Sequence, residues 1–418
     1  KLVKSIAFNY SLFIFVFKFN FMKLGILREE KVLADKRVAF SPKQCKEIIN
    51  NFPNIQLFVQ SSNIRCFLDS EYLDMGVPVV DDISDCDILF GIKEVSKNNL
   101  FPNKTYFYFS HTIKKQDYNR DLLIKMMDLN IQMIDYEVLK SDNGERLLGF
   151  GRYAGIIGAY NTFVTYGLKF KLYSLKPANK CIDRKEMEDE MKKICLKNER
   201  FVITGKGRVG LGILEILNLL KITQVSLGDY LNNKYDYPIY VNLDTMDFNQ
   251  RSDMSEGNFH DFVHNPSSYE SRFMKYAEKS DVFIAGHYYG SGSPYLFTRS
   301  DVRSPNFNIS VVADVSCDID GPVATTIRSS TISEPIYGYD PLTEKEDDFT
   351  KDDIIAVMAV DNLPCELPKD ASEDFGNQLI ENVIPLIGKD SNILKNATIC
   401  RDGDLTEEFE YLRDFVTL

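Results

Sequence analysis

The sequence predicts an α/β fold in two units, each with a mostly parallel sheet. Three observations predict it. Short apolar runs of strand length alternate with helical stretches along the chain. The series restarts near residue 200, and 418 residues are enough for two domains. At that restart the glycine-rich stretch Gly205-Lys-Gly207-Arg-Val-Gly210 joins a strand to a helix. Apolar residues make up 44% and charged residues 26%, which excludes disorder over most of the chain. The net charge of −12 argues against a nucleic-acid or anionic-membrane binder.

Taken in order, residues 1–21 (KLVKSIAFNYSLFIFVFKFNF) read as an upstream or leader segment. The run Leu12–Phe17 is too short to span a membrane, and no small-residue cleavage site follows it. Met22 then opens MKLGILREE. Residues 23–28 predict a first strand. Ser41-Pro42 is a helix-start signal, a cap residue followed by Pro at the first turn. Ile55–Val59, Val77–Val80, Asp87–Ile92, Thr105–Phe109 and Ile131–Asp135 read as strands, with a helix over Asp117–Leu129. Residues 153–172, small and apolar at the start, predict a long buried helix. In 183–199, Glu and Lys at helical spacing predict a solvated one.

The second unit opens with a strand at Phe201–Thr204, then the glycine loop and a Leu/Ile-rich helix. Further strands are expected at Gln224–Leu227, Val282–Ala285 and Ile309–Val315. Residues 232–275 read as a polar insertion and 342–353 as an acidic surface loop. A helix over 369–387 is expected to pack back on the first unit. Eight dispersed cysteines without a C-x-x-C pair argue against a disulfide framework and a zinc knuckle. They fit free thiols in a reducing, cytoplasmic setting, and no metal is expected.

The glycine loop carries the most specific chemistry. Gly205 permits the tight turn, Gly207 lets backbone approach a pyrophosphate, and Gly210 allows close helix–strand packing. The helix N-terminus, with Arg208 and Val209, then offers amide donors to the phosphates. Asp229, about 20 residues on, is expected to end the next strand and bind ribose hydroxyls, favouring NAD. Lys234 and Arg208 lie near enough in sequence that NADP is not excluded. Lys93 and His111 each follow an apolar strand, and ligands of open α/β sheets sit beyond the carboxyl ends of strands. Facing one crevice they could act as general base and acid. By position alone the ordinary reading is favoured for each, a surface lysine and a hydrogen-bonded histidine. Arg37, Lys114, Arg146 and Gln116 could bind carboxylates, Arg by a bidentate fork.

Seven separated stretches carry a resemblance: REEKVLADKRVAFSP, GIKEV, YFSHTIKKQ, IDYE, FGRYAGIIGA, VADVSCDIDGPVATTIRSSTISEPIYGYDP and AVDNLPCELPKDASEDFG. They look like the lysine–ketoglutarate reductase/saccharopine dehydrogenase (L-lysine-forming) family, within the alanine dehydrogenase/transhydrogenase superfamily. The resemblance runs from about Met22 to about Arg413, and the long SCDIDG run is most like the reductase half of bifunctional enzymes. It implies two Rossmann-like domains with parallel sheets and an interdomain active-site cleft. The substrate/catalytic domain would take 22–149 plus 369–418, and the dinucleotide-binding domain 150–368.

The resemblance also implies interconversion of saccharopine with L-lysine and 2-oxoglutarate, through an imine, by hydride transfer with a nicotinamide cofactor. Lys93 and His111 would be catalytic, with Glu137 a nearby acid that tunes the lysine. Arg37, Gln116, Phe150, Asp314, Val315 and Ser316 match substrate contacts. Tyr288, Ala313, Val360, Asp361, Asn362 and Leu363 join the glycine loop and Asp229 on the cofactor side. Val209 replaces a cysteine of the fungal loop, and Glu145 stands where the fungal enzyme has arginine. The partners implied are small molecules, with no nucleic acid, no membrane and an unspecified oligomeric state. Competing readings are another amino-acid or opine dehydrogenase of the superfamily and a catalytically silent dinucleotide-binding protein.

Overall fold

The computed structural model describes residues 21–30, 35–287 and 289–417. The expected leader, Phe21 excepted, and Tyr288 lie outside the described residues. The strands are β1 (Met22–Ile26), β2 (Ile55–Gln60), β3 (Val79–Val80), β4 (Ile88–Lys93), β5 (Thr105–Phe109), β6 (Gln132–Asp135), β7 (Arg200–Thr204), β8 (Thr223–Gln224), β9 (Ile239–Leu243), β10 (Asn249–Arg251), β11 (Tyr269–Ser271), β12 (Val282–Ala285), β13 (Val311–Asp314), β14 (Ile336–Asp340), β15 (Lys345–Asp347), β16 (Ile355–Met358), β17 (Thr398–Arg401) and β18 (Asp404–Leu405).

They form two eight-stranded sheets and a small antiparallel pair, β10 with β11. The first sheet runs β18-β17-β6-β5-β4-β1-β2-β3 and is parallel from β6 to β3. The second runs β15-β14-β16-β13-β12-β7-β9-β8, parallel from β16 to β8. Parallel strands are covered on both faces, so they read as continuous apolar runs. All four residues of β12 and of β13 are buried.

The helices follow from local chemistry. Helix α1 (Pro42–Asn51) starts where the sequence signals it: the Ser41 N–H donates to Gln44 Oε1 (2.9 Å) across a capping box. Helices α2 (Asp69–Asp74) and α3 (Asp117–Asp128) flank the first sheet. The long helix α4 (Gly151–Lys169) is buried over most of its length, as its small residues predict. It packs on α6 (Arg208–Leu219), with backbones so close that a Cβ on Gly155 would lie 2.0 Å from the Val209 carbonyl oxygen. Between them, α5 spans only Arg184–Glu190. The solvated helix expected over 183–199 is therefore cut short. Met187 is its one buried residue, so the charged turns have no apolar stripe to hold them.

Helix α7 (Leu227–Asn232) follows β8, α8 (Phe259–His264) sits between β10 and β11, and α9 (Met274–Ala277) and α10 (Arg299–Val302) are single turns. Helix α11 (Pro368–Asn382) returns to the first unit, burying Phe375 and Leu379 in its core.

Two further expectations are corrected. The strand expected over 224–227 stops at Gln224, because Ser226 caps α7 and turns the chain into a helix. The 232–275 stretch is not only an insertion, since it contains β9, buried between β7 and β8. Its five-residue run, apolar except for Asn242, is flanked by polar residues that hide it. Part of the acidic stretch 342–353 is likewise a strand, β15, pairing with β14 at the sheet edge.

Candidate active site

At the carboxyl edge of the first sheet, β4 ends at Lys93 and β5 leads through Ser110 to His111. The register of β4 against β5 shifts between Phe90 and Lys93. There the amides of Ile92 and Lys93 donate to the two carboxylate oxygens of Glu29, at 2.7 and 3.0 Å. Glu29 thus fixes the backbone that carries Lys93. Burial pushes its carboxyl up to about 7, against the pull of those two amides. His111 sits in the left-handed region (φ 55°), which aims its ring back at the strand end. Its Nδ1 lies 3.5 Å from Glu94 Oε2, and its ring stacks on Phe109. Lys93 and His111 therefore stand on adjacent strand ends.

Glu137 is positioned by Asp135, whose Oδ1 accepts the Glu137 amide (2.7 Å). One Glu137 oxygen lies 3.4 Å from Lys114 Nζ. The other is buried with no hydrogen-bond partner among the described residues. Gln116 precedes α3 at the N-cap position without a side-chain capping bond and faces solvent, its Oε1 accepting from the Tyr118 hydroxyl at 2.6 Å.

Arg37 is deeply buried and pairs with Asp35 through two bonds, Nε to Oδ1 (3.0 Å) and Nη2 to Oδ2 (2.6 Å). Burial would raise the Asp35 carboxyl, but the guanidinium overrides it and holds it below the usual range. The Arg37 head lies 4.2 Å from the Phe150 ring centroid, and Phe150 stacks on Phe375 at 4.5 Å. Cys365, from the chain following the second sheet, lies 3.5 Å from Asp35. The two units therefore meet at this pair.

The second sheet supplies the glycine loop. Gly205 has φ +98°, closed to most side chains, and a Cβ there would lie 2.3 Å from the Gly286 carbonyl oxygen. A Cβ on Gly210 would lie 2.0 Å from the Gly205 carbonyl oxygen. Gly207 instead faces open space, and as the N-cap of α6 it leaves the first amides without a side-chain cap. A cavity of about 760 Å³ opens over this loop. Its walls include Arg146, Leu148 to Gly151, Asp244, Thr245, Gly286, His287 and Ser316.

His287 is buried and stays neutral, burial pushing its pKa down to about 4. Nδ1 pairs with the Thr204 hydroxyl at 2.7 Å, while Nε2 has no partner among the described residues. Arg146 and Arg208 converge at Gly149, and neither forms an ion pair among the described residues. Burial and the neighbouring Arg146 both lower the Arg208 pKa. Open backbone amides, an unsatisfied imidazole and two converging guanidinium groups fit a phosphorylated ligand such as a dinucleotide.

Phe150 links the halves of the site. It lines the cavity, touches Arg37 and lies 6.1 Å from Phe109, on which His111 stacks. Not every residue expected at the site faces the cavity. Asp229 is exposed in the first turn of α7, bonded to Ser226 (2.7 Å) at the far edge of the sheet. The acid at the cavity is Asp244, directly after β9, the strand that pairs with β7. Its carboxylate lies 3.6 Å from Lys206 Nζ. The rule of an acid about 20 residues on assumes that the strand after α6 lies beside β7, and here β9 takes that place.

Asp314 is fully buried at the end of β13, its carboxyl raised by burial and bonded by Thr326 and Ser316. Ser316 reaches the cavity, whereas Val315 packs over Gly158. Ala313, Val360 and Leu363 are core residues. Asp361 is exposed, and Asn362 directly precedes the short turn over Leu363–Glu366.

Two mostly parallel sheets, with a glycine loop in a cavity that the first unit reaches through Arg146 and Leu148, define a two-domain protein of the nucleotide-binding α/β class. Family models assign it further. The model described as alanine dehydrogenase/PNT, N-terminal domain, matches residues 25–157, and the corresponding C-terminal domain model matches 241–409. The chain belongs to this family.

Among curated relatives, alpha-aminoadipic semialdehyde synthase of Arabidopsis thaliana is 28% identical over 437 residues, covering 93% of this chain and 41% of that protein. The Mus musculus synthase is 26% identical, with 93% and 47% covered. Saccharopine dehydrogenase (NAD(+), L-lysine-forming) of Schizosaccharomyces pombe is 26% identical, with 86% and 92% covered. The chain thus spans less than half the length of the synthases. Among solved structures, an L-alanine dehydrogenase superposes with TM-score 0.62 at 17% identity, over 94% of this chain and all of that one. A transhydrogenase from Sinorhizobium meliloti gives 0.54 at 11%, over 92% and 98%. These two likenesses speak to the fold.

Proposed function

We propose that this protein interconverts saccharopine with L-lysine and 2-oxoglutarate, using a nicotinamide dinucleotide, with NAD preferred. The observation that carries the reading is the placement of Lys93 and His111 on adjacent strand ends, with His111 stacked on Phe109, and Phe109 6.1 Å from Phe150, which lines the glycine-loop cavity. Similarity to enzymes so named over nearly the whole chain supports it. In this reading residues 22–149 with 369–418 are the substrate domain, and 150–368 bind the dinucleotide. The reducing setting inferred from the free thiols suits a cytoplasmic enzyme. Among the described residues no helix is long and apolar enough to cross a membrane.

The bound nicotinamide would accept or supply the hydride. The chain's own residues do the rest. Lys93 takes the proton from the secondary amine as its carbon is oxidised, and returns it in the reverse direction. His111 moves protons to and from the water that adds to the imine, steadied by Glu94. Arg146 and Arg208, converging beside the glycine loop, neutralise the phosphates of the dinucleotide. Arg37, held by Asp35, forms the cationic floor beneath Phe150, against which the substrate's methylene chain packs. Asp244 accepts hydrogen bonds from the ribose hydroxyls and repels a 2′-phosphate, an effect softened by Lys206.

The test is absorbance at 340 nm with NADH or NADPH, 2-oxoglutarate and a panel of amino acids. Oxidation that depends on lysine supports the reading. Turnover with ammonia and pyruvate would assign the chain to the alanine-type dehydrogenases its fold resembles. Dinucleotide binding without turnover on any amino acid would mark it as silent.

A further inference from the structure

The stretch between β9 and β12 carries a small projecting unit, the β10–β11 pair with α8 at its tip. It is rigidly mounted. Asn258 caps α8 by accepting the Asp261 amide (2.9 Å). Asp261 is held from below by Arg251 Nη1 (2.5 Å) and by the Tyr269 hydroxyl (2.7 Å). Phe262 turns inward and packs edge-on against Tyr269 at 5.2 Å.

The same helix presents two apolar side chains outward. Phe259 and Val263, one turn apart, are 57% and 52% exposed. Scattered apolar residues on a surface need no explanation. These two adjoin, and both wall the cavity that holds the glycine loop and Asp244. An apolar face pinned in place against a polar cradle marks a binding wall.

We infer that Phe259 and Val263 form the platform for the adenine ring of the dinucleotide. The inference rests on the dinucleotide reading above. With the pyrophosphate at the α6 amides and the ribose hydroxyls at Asp244, the base extends beyond the end of β9. There it meets α8. A purine ring covers both side chains at once, removing their exposed surface from water while its polar edge remains solvated. The unit thereby does for adenine what Asp244 does for the sugar, and it is built from sequence that reads only as polar insertion.

The experiment compares NADH, AMP and reduced nicotinamide mononucleotide on the full chain, by titration calorimetry and by cofactor fluorescence. The chain has no tryptophan to compete with that signal. Replacing a ring that stacks on a base by alanine costs about ten- to a hundredfold in affinity. Phe259→Ala is expected to weaken NADH and AMP by that factor and leave the mononucleotide unchanged. Phe259→Tyr, which keeps the ring, restores both. Because Phe259 is more than half exposed, the core is untouched, and an unchanged unfolding temperature checks this. If the parent binds NADH and Phe259→Ala binds NADH and AMP equally well, the platform is refuted and the dinucleotide reading stands. A parent that binds no dinucleotide refutes both.

Discussion

Gly210→Ala tests the glycine loop by a single methyl group. The added Cβ would lie 2.0 Å from the Gly205 carbonyl oxygen. Atoms in a close-packed interior do not tolerate that distance, so the loop and α6 must separate by roughly an ångström or more. Overpacking of this kind costs about 1–3 kcal/mol of stability. The effect on the ligand is larger in proportion, because the amides of the α6 N-terminus move away from the loop that frames them. A misplacement of about 1 Å is worth roughly 10²-fold, or about 2.8 kcal/mol.

The control is Gly228→Ala on α7, where nothing lies within 4 Å of the added methyl. It carries the same change in composition, and in a helix should be neutral or gain about 0.5–1 kcal/mol. The assay is NADH titration by fluorescence with thermal unfolding of the free and loaded protein. Gly210→Ala should lower the unfolding temperature and bind about a hundredfold more weakly, while Gly228→Ala binds as the parent does. Parent-like affinity in Gly210→Ala would show that the loop does not frame the dinucleotide.

Arg37→Met leaves Asp35 buried without its partner, which should destabilise the protein by about 3–5 kcal/mol. Adding Asp35→Asn should recover part of that loss, so a urea-denaturation cycle with no coupling would contradict the pairing. Glu366 is buried beside Asn161, which donates to it at 2.8 Å, and burial pushes its carboxyl from 4.5 up to about 7. Between these values the folded state holds a proton that the unfolded state has lost, so this group's contribution falls as pH rises from about 4.5 to about 7. Glu366→Gln removes the effect. Relative to the parent it should gain about 3 kcal/mol between pH 5 and pH 8 by urea denaturation, and a parallel pair of curves would refute the assignment.

Much of this site is legible in the sequence, for identifiable reasons. The glycine loop shows because its three glycines answer three separate steric demands, each local to the turn. Lys93 and His111 show because apolar strands end visibly before them. The left-handed backbone at His111 does not show, nor does Glu29, which reaches the amides of Ile92 and Lys93 from 63 and 64 residues away. The REEK stretch after β1 held the only signal, a carboxylate at another strand end. Asp244 was hidden for a different reason. Local pattern gives the order of strands along the chain, whereas β9 enters the sheet between β7 and β8, so the acid beside the loop is not the next one in sequence. The short β15 and the truncated α5 were obscured by charge, which masks pairing as readily as it suggests a helix.

In the proposed reaction the first sheet brings an acid–base lysine to a substrate held against the dinucleotide of the second. The most direct measurement is saccharopine-dependent reduction of NAD at 340 nm in Lys93→Met, with NADH affinity measured on the same preparation. Turnover should fall about 10²-fold while NADH binds as in the parent. Undiminished turnover would remove Lys93 from the mechanism.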